Sequence, residues 1–291
     1  MEITESTIKK ILTRSESGYL LNADGRGPIC SHSMQPYQGC AFGNALCGVG
    51  CYVRFNTYVT KGREWGSFLE ARTNAAQSYR DCYRTERQWA QKTKGGMSIF
   101  CSSSTDPFIP QEDRFGVTKS LLEAMLDLPP DLLILQTHTH RVTKYVDLYS
   151  ELQNKCKLRF QVSIETDRNN LPGLPPHASP IADRLDACQL LRQRGHFVVV
   201  MVAPLLPIDD PNAFFQKVAS VADAVVIDHF IIGDGSTDGK NTKRTDLPAA
   251  MALVNPESTS LKYRDRMVEI ARRYMPGRVG VSKDGFAGFY E

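Results

Sequence analysis

No stretch of this 291-residue sequence approaches the roughly 18 consecutive apolar residues of a membrane-spanning helix. The opening Met-Glu-Ile-Thr-Glu-Ser lacks the basic and then apolar segments of a secretory signal. A cytoplasmic address is the expectation, with no membrane partner. Charge of one sign is scarce in excess: 35 basic against 32 acidic side chains leave a net +3. That balance does not by itself mark a nucleic-acid binder. Disulfide staples are not expected either. Of the eight cysteines, Cys30, Cys82, Cys101, Cys156 and Cys188 are scattered singly. A chain of this length with 42% hydrophobic residues builds a large core without cross-links. Scattered thiols then read as small buried hydrophobes in a reducing compartment.

The other three cysteines are gathered. Cys40, Cys47 and Cys51 fall within twelve residues, in a stretch from Gln35 to Phe55 that has four glycines and no regular periodicity. Three thiolates brought to one place suit zinc or an iron–sulfur cluster. Glycine lets such a loop turn tightly and approach a bulky inorganic body. A structural zinc or a passive four-iron cluster normally takes four protein ligands. Three leave a metal position open for something that reacts.

From residue 67 onward, apolar runs of strand length alternate with amphipathic helices, the pattern of βαβ units around a parallel sheet. Strands are expected near 29–34, 67–72, 97–101, 132–135, 158–164, 197–202 and 224–227. Helices are expected over 74–90, 117–126, 146–152, 180–194, 212–221 and 258–274. Near-continuous apolar strands need cover on both faces. Ser179-Pro180 reads as a cap followed by proline at the first helical position, and Gly195 as the stop. About six strand–helix units fall short of the eight of a closed barrel. The expected fold is α/β, a partial, open TIM-type barrel over 31–235. An irregular lead-in over 1–30 precedes it, and a helical C-terminal extension over 236–291 packs on it.

In parallel barrels the reactive groups gather at the C-terminal ends of the strands. After 97–101 come Ser102 to Thr105, four hydroxyls ahead of Asp106-Pro107; they suit an amine and a carboxylate, or form a turn that caps itself. After 132–135 come His138 and His140, without an acidic or cysteine partner at metal-ligand spacing. Ser163 and Glu165 share one side of their strand by alternation; Glu165 reads as an acceptor for ribose hydroxyls or as a solvated strand end. Arg184 stands near a helix start, either turned to a ligand carboxylate or on the surface. Ala203-Pro204-Leu205-Leu206-Pro207 ends the fifth barrel strand. The run Gly233 to Lys240 is only superficially a calcium loop, since Thr245 stands where the twelfth-position glutamate is needed. It reads as a loop over the barrel mouth. The short basic run Lys240 to Arg244 can meet phosphate or be a solvated surface.

These residues resemble a known family. Pro36-Tyr37-Gln38-Gly39-Cys40 and Cys51-Tyr52-Val53-Arg54 are similar to the two ends of the cluster loop in the radical S-adenosylmethionine (SAM) enzymes, in their spore photoproduct lyase-like branch. The middle departs, with six and then three residues between the cysteines where the family usually has three and two. Thr105 to Glu112 matches the branch's Thr-Asp-Pro-aromatic-x-Pro-x-Glu, and Ala203 to Pro207 its apolar adenine rest. His138 stands where the family often has lysine. The match runs in order over roughly 30–210. It implies a [4Fe–4S] cluster on Cys40, Cys47 and Cys51, with SAM chelating the fourth iron. By the same resemblance Ser103, Ser104 and Thr105 hold the methionyl amine, Arg184 the carboxylate, and Ala203 and Pro204 the adenine. His138, Ser163 and Glu165 complete the expected SAM site. Reductive cleavage to a 5′-deoxyadenosyl radical, fed by an external one-electron reductant of flavodoxin or ferredoxin type, would then abstract hydrogen from substrate. Cys101 sits where spore photoproduct lyases use a cysteine as hydrogen donor; a buried strand cysteine is the plain alternative. The substrate is open between a nucleic-acid lesion and a small metabolite or peptide. A zinc- or cluster-binding barrel without SAM chemistry is the competing reading.

Overall fold

A computed structural model describes residues 1–16, 19–22 and 25–291. Eleven strands run in chain order: β1 (Glu2–Ser6), β2 (Leu12–Arg14), β3 (His32–Met34), β4 (Tyr37–Gly39), β5 (Phe68–Arg72), β6 (Ser98–Cys101), β7 (Leu132–Thr137), β8 (Lys157–Ser163), β9 (Phe197–Val202), β10 (Ala224–Ile227) and β11 (Val279–Val281). Eight form one sheet in the order β11-β10-β9-β8-β7-β6-β3-β2. From β3 to β11 the pairs are parallel, and β2 alone runs antiparallel on its edge. The two edge strands do not pair, so the sheet is an open α/β barrel as expected.

The parallel strands are apolar on both faces because both are covered. Leu133, Leu135, Phe160, Val162, Val198, Val200 and Val202 join the main core under the helices. The alternate residues Phe100, Ile134, Val199, Met201 and Val226 form a second core inside the curve, closed by Phe286. The helices Val117–Asp127, Val146–Gln153, Ile181–Gln193, Pro211–Val221 and Leu261–Tyr274 lie close to their expected spans. Gly195 follows its helix at φ +80°. Ser179, however, leaves its own helix uncapped and bonds His140 instead, accepting from its N–H at 3.2 Å.

Two expectations for the ends of the chain are corrected. Residues 1–30 are not wholly irregular. β1 pairs in parallel with β5, which pairs antiparallel with β4, making a small second sheet beside the cysteine loop. Asn74 precedes the helix Ala75–Lys94, but its amide holds Ile8 at both N–H and C=O. The same helix supplies Glu86, which ties Lys10, Arg14 and the fully buried His32 together. The extension over 236–291, for its part, is more than helices: its tail returns as β11 and completes the sheet against β10. Among the described residues no helix is long and apolar enough to cross a membrane.

Candidate active site

One cavity opens at the C-terminal ends of the parallel strands. It is lined by Cys47 and Cys51 of the cysteine loop, Ser103, Ser104, Thr105 and Asp106 beyond β6, and His138 beyond β7. Glu165 lines it beyond β8, Ala203 and Pro204 beyond β9, and Asp228 beyond β10.

The cysteine loop is held by its own backbone. A Cβ on Gly48 would fall 2.0 Å from the carbonyl oxygen of Phe42, and one on Gly39 (φ +99°) 2.3 Å from that of Phe68. Glycine therefore serves here to fold the loop on itself and against β5. Cys47 stands on the helical turn Leu46–Val49, and Arg54 Nη1 donates to the Val49 carbonyl at 2.8 Å. Burial pushes the Cys40 thiol up to about 12, with help from the charge of Cys51. Burial also pushes the Cys51 thiol up to about 11 and that of Cys47 well above the usual range. Metal binding must displace these protons. Among the described residues, no three His, Cys, Asp or Glu side chains converge as tightly as one metal ion requires. Thiols arranged around a cavity suit a four-iron cluster, whose irons are themselves spread over several corners, better than a zinc ion, which draws four donors to about 2.0–2.3 Å.

Gln35 organises the serine loop. Its Nε2 donates to Ser103 Oγ at 2.7 Å, and its Oε1 accepts from Ser104 Oγ at 3.0 Å, from Ser104 N–H at 3.3 Å and from Ser102. Arg72 Nη1 fixes the Gln35 carbonyl at 2.8 Å. Thr105 Oγ1 donates to the Gly39 carbonyl at 2.8 Å, joining the serine loop to the cysteine loop. Asp106 accepts from Phe108 N–H, His138 N–H and Thr137 Oγ1. Glu112 accepts from Thr118 N–H and Lys119 N–H and from the hydroxyls of Tyr37 and Tyr145. The Thr105 to Glu112 segment is thus a scaffold whose carboxylates are pinned by neutral donors.

Glu165 is a hub rather than a free acceptor. His138 Nδ1 lies 2.9 Å from one oxygen and Arg184 Nη1 2.9 Å from the other. Arg184 also donates to the Ser163 carbonyl and meets His177 Nδ1 at 3.1 Å. Arg184 is 1% exposed, so it is neither a surface residue nor in the cavity lining; it holds Glu165. Ser163 is fully buried below Glu165, on the same face as expected, and does not line the cavity. Cys101 is not brought there at all. Alternation turns Phe100 inward to the cavity and leaves Cys101 in the helix-side core, beside Ile99. His140 pairs with Ser179 Oγ at 2.8 Å, outside the site.

The opposite wall comes from the two ends of the chain. Tyr19 donates to Asp228 at 3.1 Å and Ser282 Oγ at 2.7 Å. The Gly233 to Lys240 loop is closed by Asp234, which accepts from Ser236 and from Thr242 N–H at 2.7 Å. Gln35, Tyr19 and His177 carry no local sequence signal, because each acts on residues far away in the chain. Asp228 shows only as the polar residue that ends an apolar strand.

An open parallel barrel with three thiols at its mouth and polar strand ends around one cavity is a known arrangement. The chain shares the fold of spore photoproduct lyase: a structure of a variant with dinucleoside spore photoproduct matches with a TM-score of 0.60 at 13% identity, covering 96% of this chain and 80% of that one. A second structure of the lyase gives 0.57 at 14% identity. In sequence the chain is similar to an uncharacterized protein of Acidianus two-tailed virus, 29% identical over 185 residues. It is also similar to a radical SAM Nα-GlyT isomerase of Pseudomonas phage M6, 25% identical over 202 residues. These cover 62% and 68% of this chain, which spans 56% and 38% of the relatives' lengths. No family model matches. The resemblance to the spore photoproduct lyase-like branch is thus met in fold by the lyase and in sequence by the phage isomerase.

Proposed function

We propose that this chain is a radical SAM enzyme that acts on a base of a nucleic acid. The observation that carries the reading is a single cavity: Cys47 and Cys51 share it with Ser103, Ser104, Thr105, His138, Glu165, Ala203 and Pro204. Cys40 belongs to the same loop and its thiol is coupled to those of Cys47 and Cys51. The three thiols would hold a [4Fe–4S] cluster, with an external one-electron reductant of flavodoxin or ferredoxin type. When bound, the cluster and SAM supply a one-electron cleavage that yields a 5′-deoxyadenosyl radical for hydrogen abstraction. The protein's part is to orient and to exclude water. Gln35 fixes the serine loop so that hydroxyl and backbone groups face an amine. Glu165, kept ionised by Arg184, offers an acceptor, and His138 takes the place of a lysine beside it. Cys101, facing the other way, is a core residue in this account.

The nucleic-acid reading rests on the cavity mouth. Thr242 lines the cavity, and Lys243 and Arg244 continue the same turn. The Arg244 guanidinium lies 3.8 Å from the ring centre of Phe55, just past the cysteine loop. Cations and an aromatic ring at a mouth suit phosphates outside and a base turned in. The names of two relatives agree, since one is a photoproduct lyase and the other acts on a modified nucleoside. Fluorescence anisotropy with a single-stranded deoxyoligonucleotide tests it. Reversing Lys243 and Arg244 to Glu should weaken binding at least about tenfold and flatten the salt dependence by about two ions. Unchanged affinity and salt slope would contradict a nucleic-acid substrate.

A further inference from the structure

Strands β7 and β8 carry polar side chains on the inner face that the account above does not use. Gln136 and Gln161 are direct partners in the parallel register. Around them the inner face is apolar, with Phe100, Ile134 and Val199. Gln161 is 0% exposed. Neither atom of its amide, nor the amide oxygen of Gln136, finds a hydrogen-bond partner in the protein. Buried amides left unpaired are costly, and apolar residues of the same size would suit the core better. Two glutamines at one register position therefore point to a partner from outside the chain. Gln136 lines the cavity, and Gln161 stands beside it on the next strand.

We propose that Gln136, backed by Gln161, forms the floor of the substrate pocket and pairs with the amide edge of a flat heterocycle. A primary amide presents a donor and an acceptor side by side, the complement of a ring in which C=O adjoins N–H. The walls suit a flat ring as well. Phe100, Phe230 and Phe286 line the same cavity, and all three are buried; aromatic rings pack well by offset or edge contact. A lone water would satisfy one atom but would not need a matched amide between aromatic walls. The inference rests on the nucleobase reading and narrows it to bases with adjacent C=O and N–H, such as thymine or uracil.

The test is calorimetric binding of thymidylyl-thymidine, and of the same dinucleotide methylated at N3 of both bases, to the full chain. Blocking the N–H should weaken binding at least about tenfold, the effect of losing a two-point base contact. The Gln136→Leu protein, with its folding checked by thermal melting, should bind the two probes alike. Gln161→Leu should lower the discrimination without abolishing it. Equal binding of both probes by the unsubstituted chain overturns the floor and leaves the nucleobase reading standing; that comparison needs no variant to fold. Binding of neither probe refutes the nucleobase reading and the floor with it.

Discussion

His138 Nδ1 lies 2.9 Å from a carboxylate oxygen of Glu165, whose other oxygen receives Arg184. Burial alone would raise this carboxyl, yet the Arg184 charge and the two histidines hold it well below the usual carboxylate range. The group is therefore ionised and aimed before any ligand arrives.

Replacing Glu165 by Gln strands the Arg184 guanidinium, which is 1% exposed. Loss of one partner of a buried pair costs about 3–5 kcal/mol, so the urea midpoint should fall clearly at pH 7. The sign with pH follows from the depressed carboxyl. Its contribution is present above the unfolded value near 4.3 and is lost as pH falls below that toward the folded value. The difference between the two proteins should narrow in acid. A Glu165→Gln protein with the same midpoint, or a gap that widens in acid, would contradict the hub.

Gln35 makes a second prediction. Its side chain holds Ser102, Ser103 and Ser104 at once. Gln35→Leu removes several bonds of roughly 1 kcal/mol each, so SAM binding should weaken by about tenfold or more. Iron and sulfide content should stay unchanged. Weakened SAM binding with a lost cluster would instead make Gln35 a support for the cysteine loop.

Cys101 gives the third. Its side chain packs in the helix-side core, so Cys101→Ala should cost about 1 kcal/mol by the small space it leaves. Product formation should persist within about twofold, the scatter expected of a site that is not contacted. A variant that still cleaves SAM but forms no product would show that this thiol reaches substrate after all.

Much of this was legible in the sequence. β9 and β10 fall on their expected residues because a run such as Phe197 to Val202, covered on both faces, has no other stable place. His138 and Glu165 could be expected to meet because their strands are consecutive and sequential strands usually pair. The facing of Cys101 was not legible for the same reason that β6 was: when both faces are apolar, alternation does not say which one is inner. β1 escaped notice because Glu2, Ile3, Thr4 and Glu5 are exposed and its partner begins at Phe68. Gln35 escaped because its partners come after β6, and β11 because Val279-Gly280-Val281 is short and holds a glycine.

The central claim is that Cys40, Cys47 and Cys51 hold a cluster that cleaves SAM. Its most direct test is EPR of the anaerobically reconstituted, dithionite-reduced protein with and without SAM, with chromatography of the same samples. The account predicts a reduced [4Fe–4S] signal that shifts when SAM is added, together with 5′-deoxyadenosine. Bound zinc, or a cluster signal indifferent to SAM with no 5′-deoxyadenosine, would contradict it.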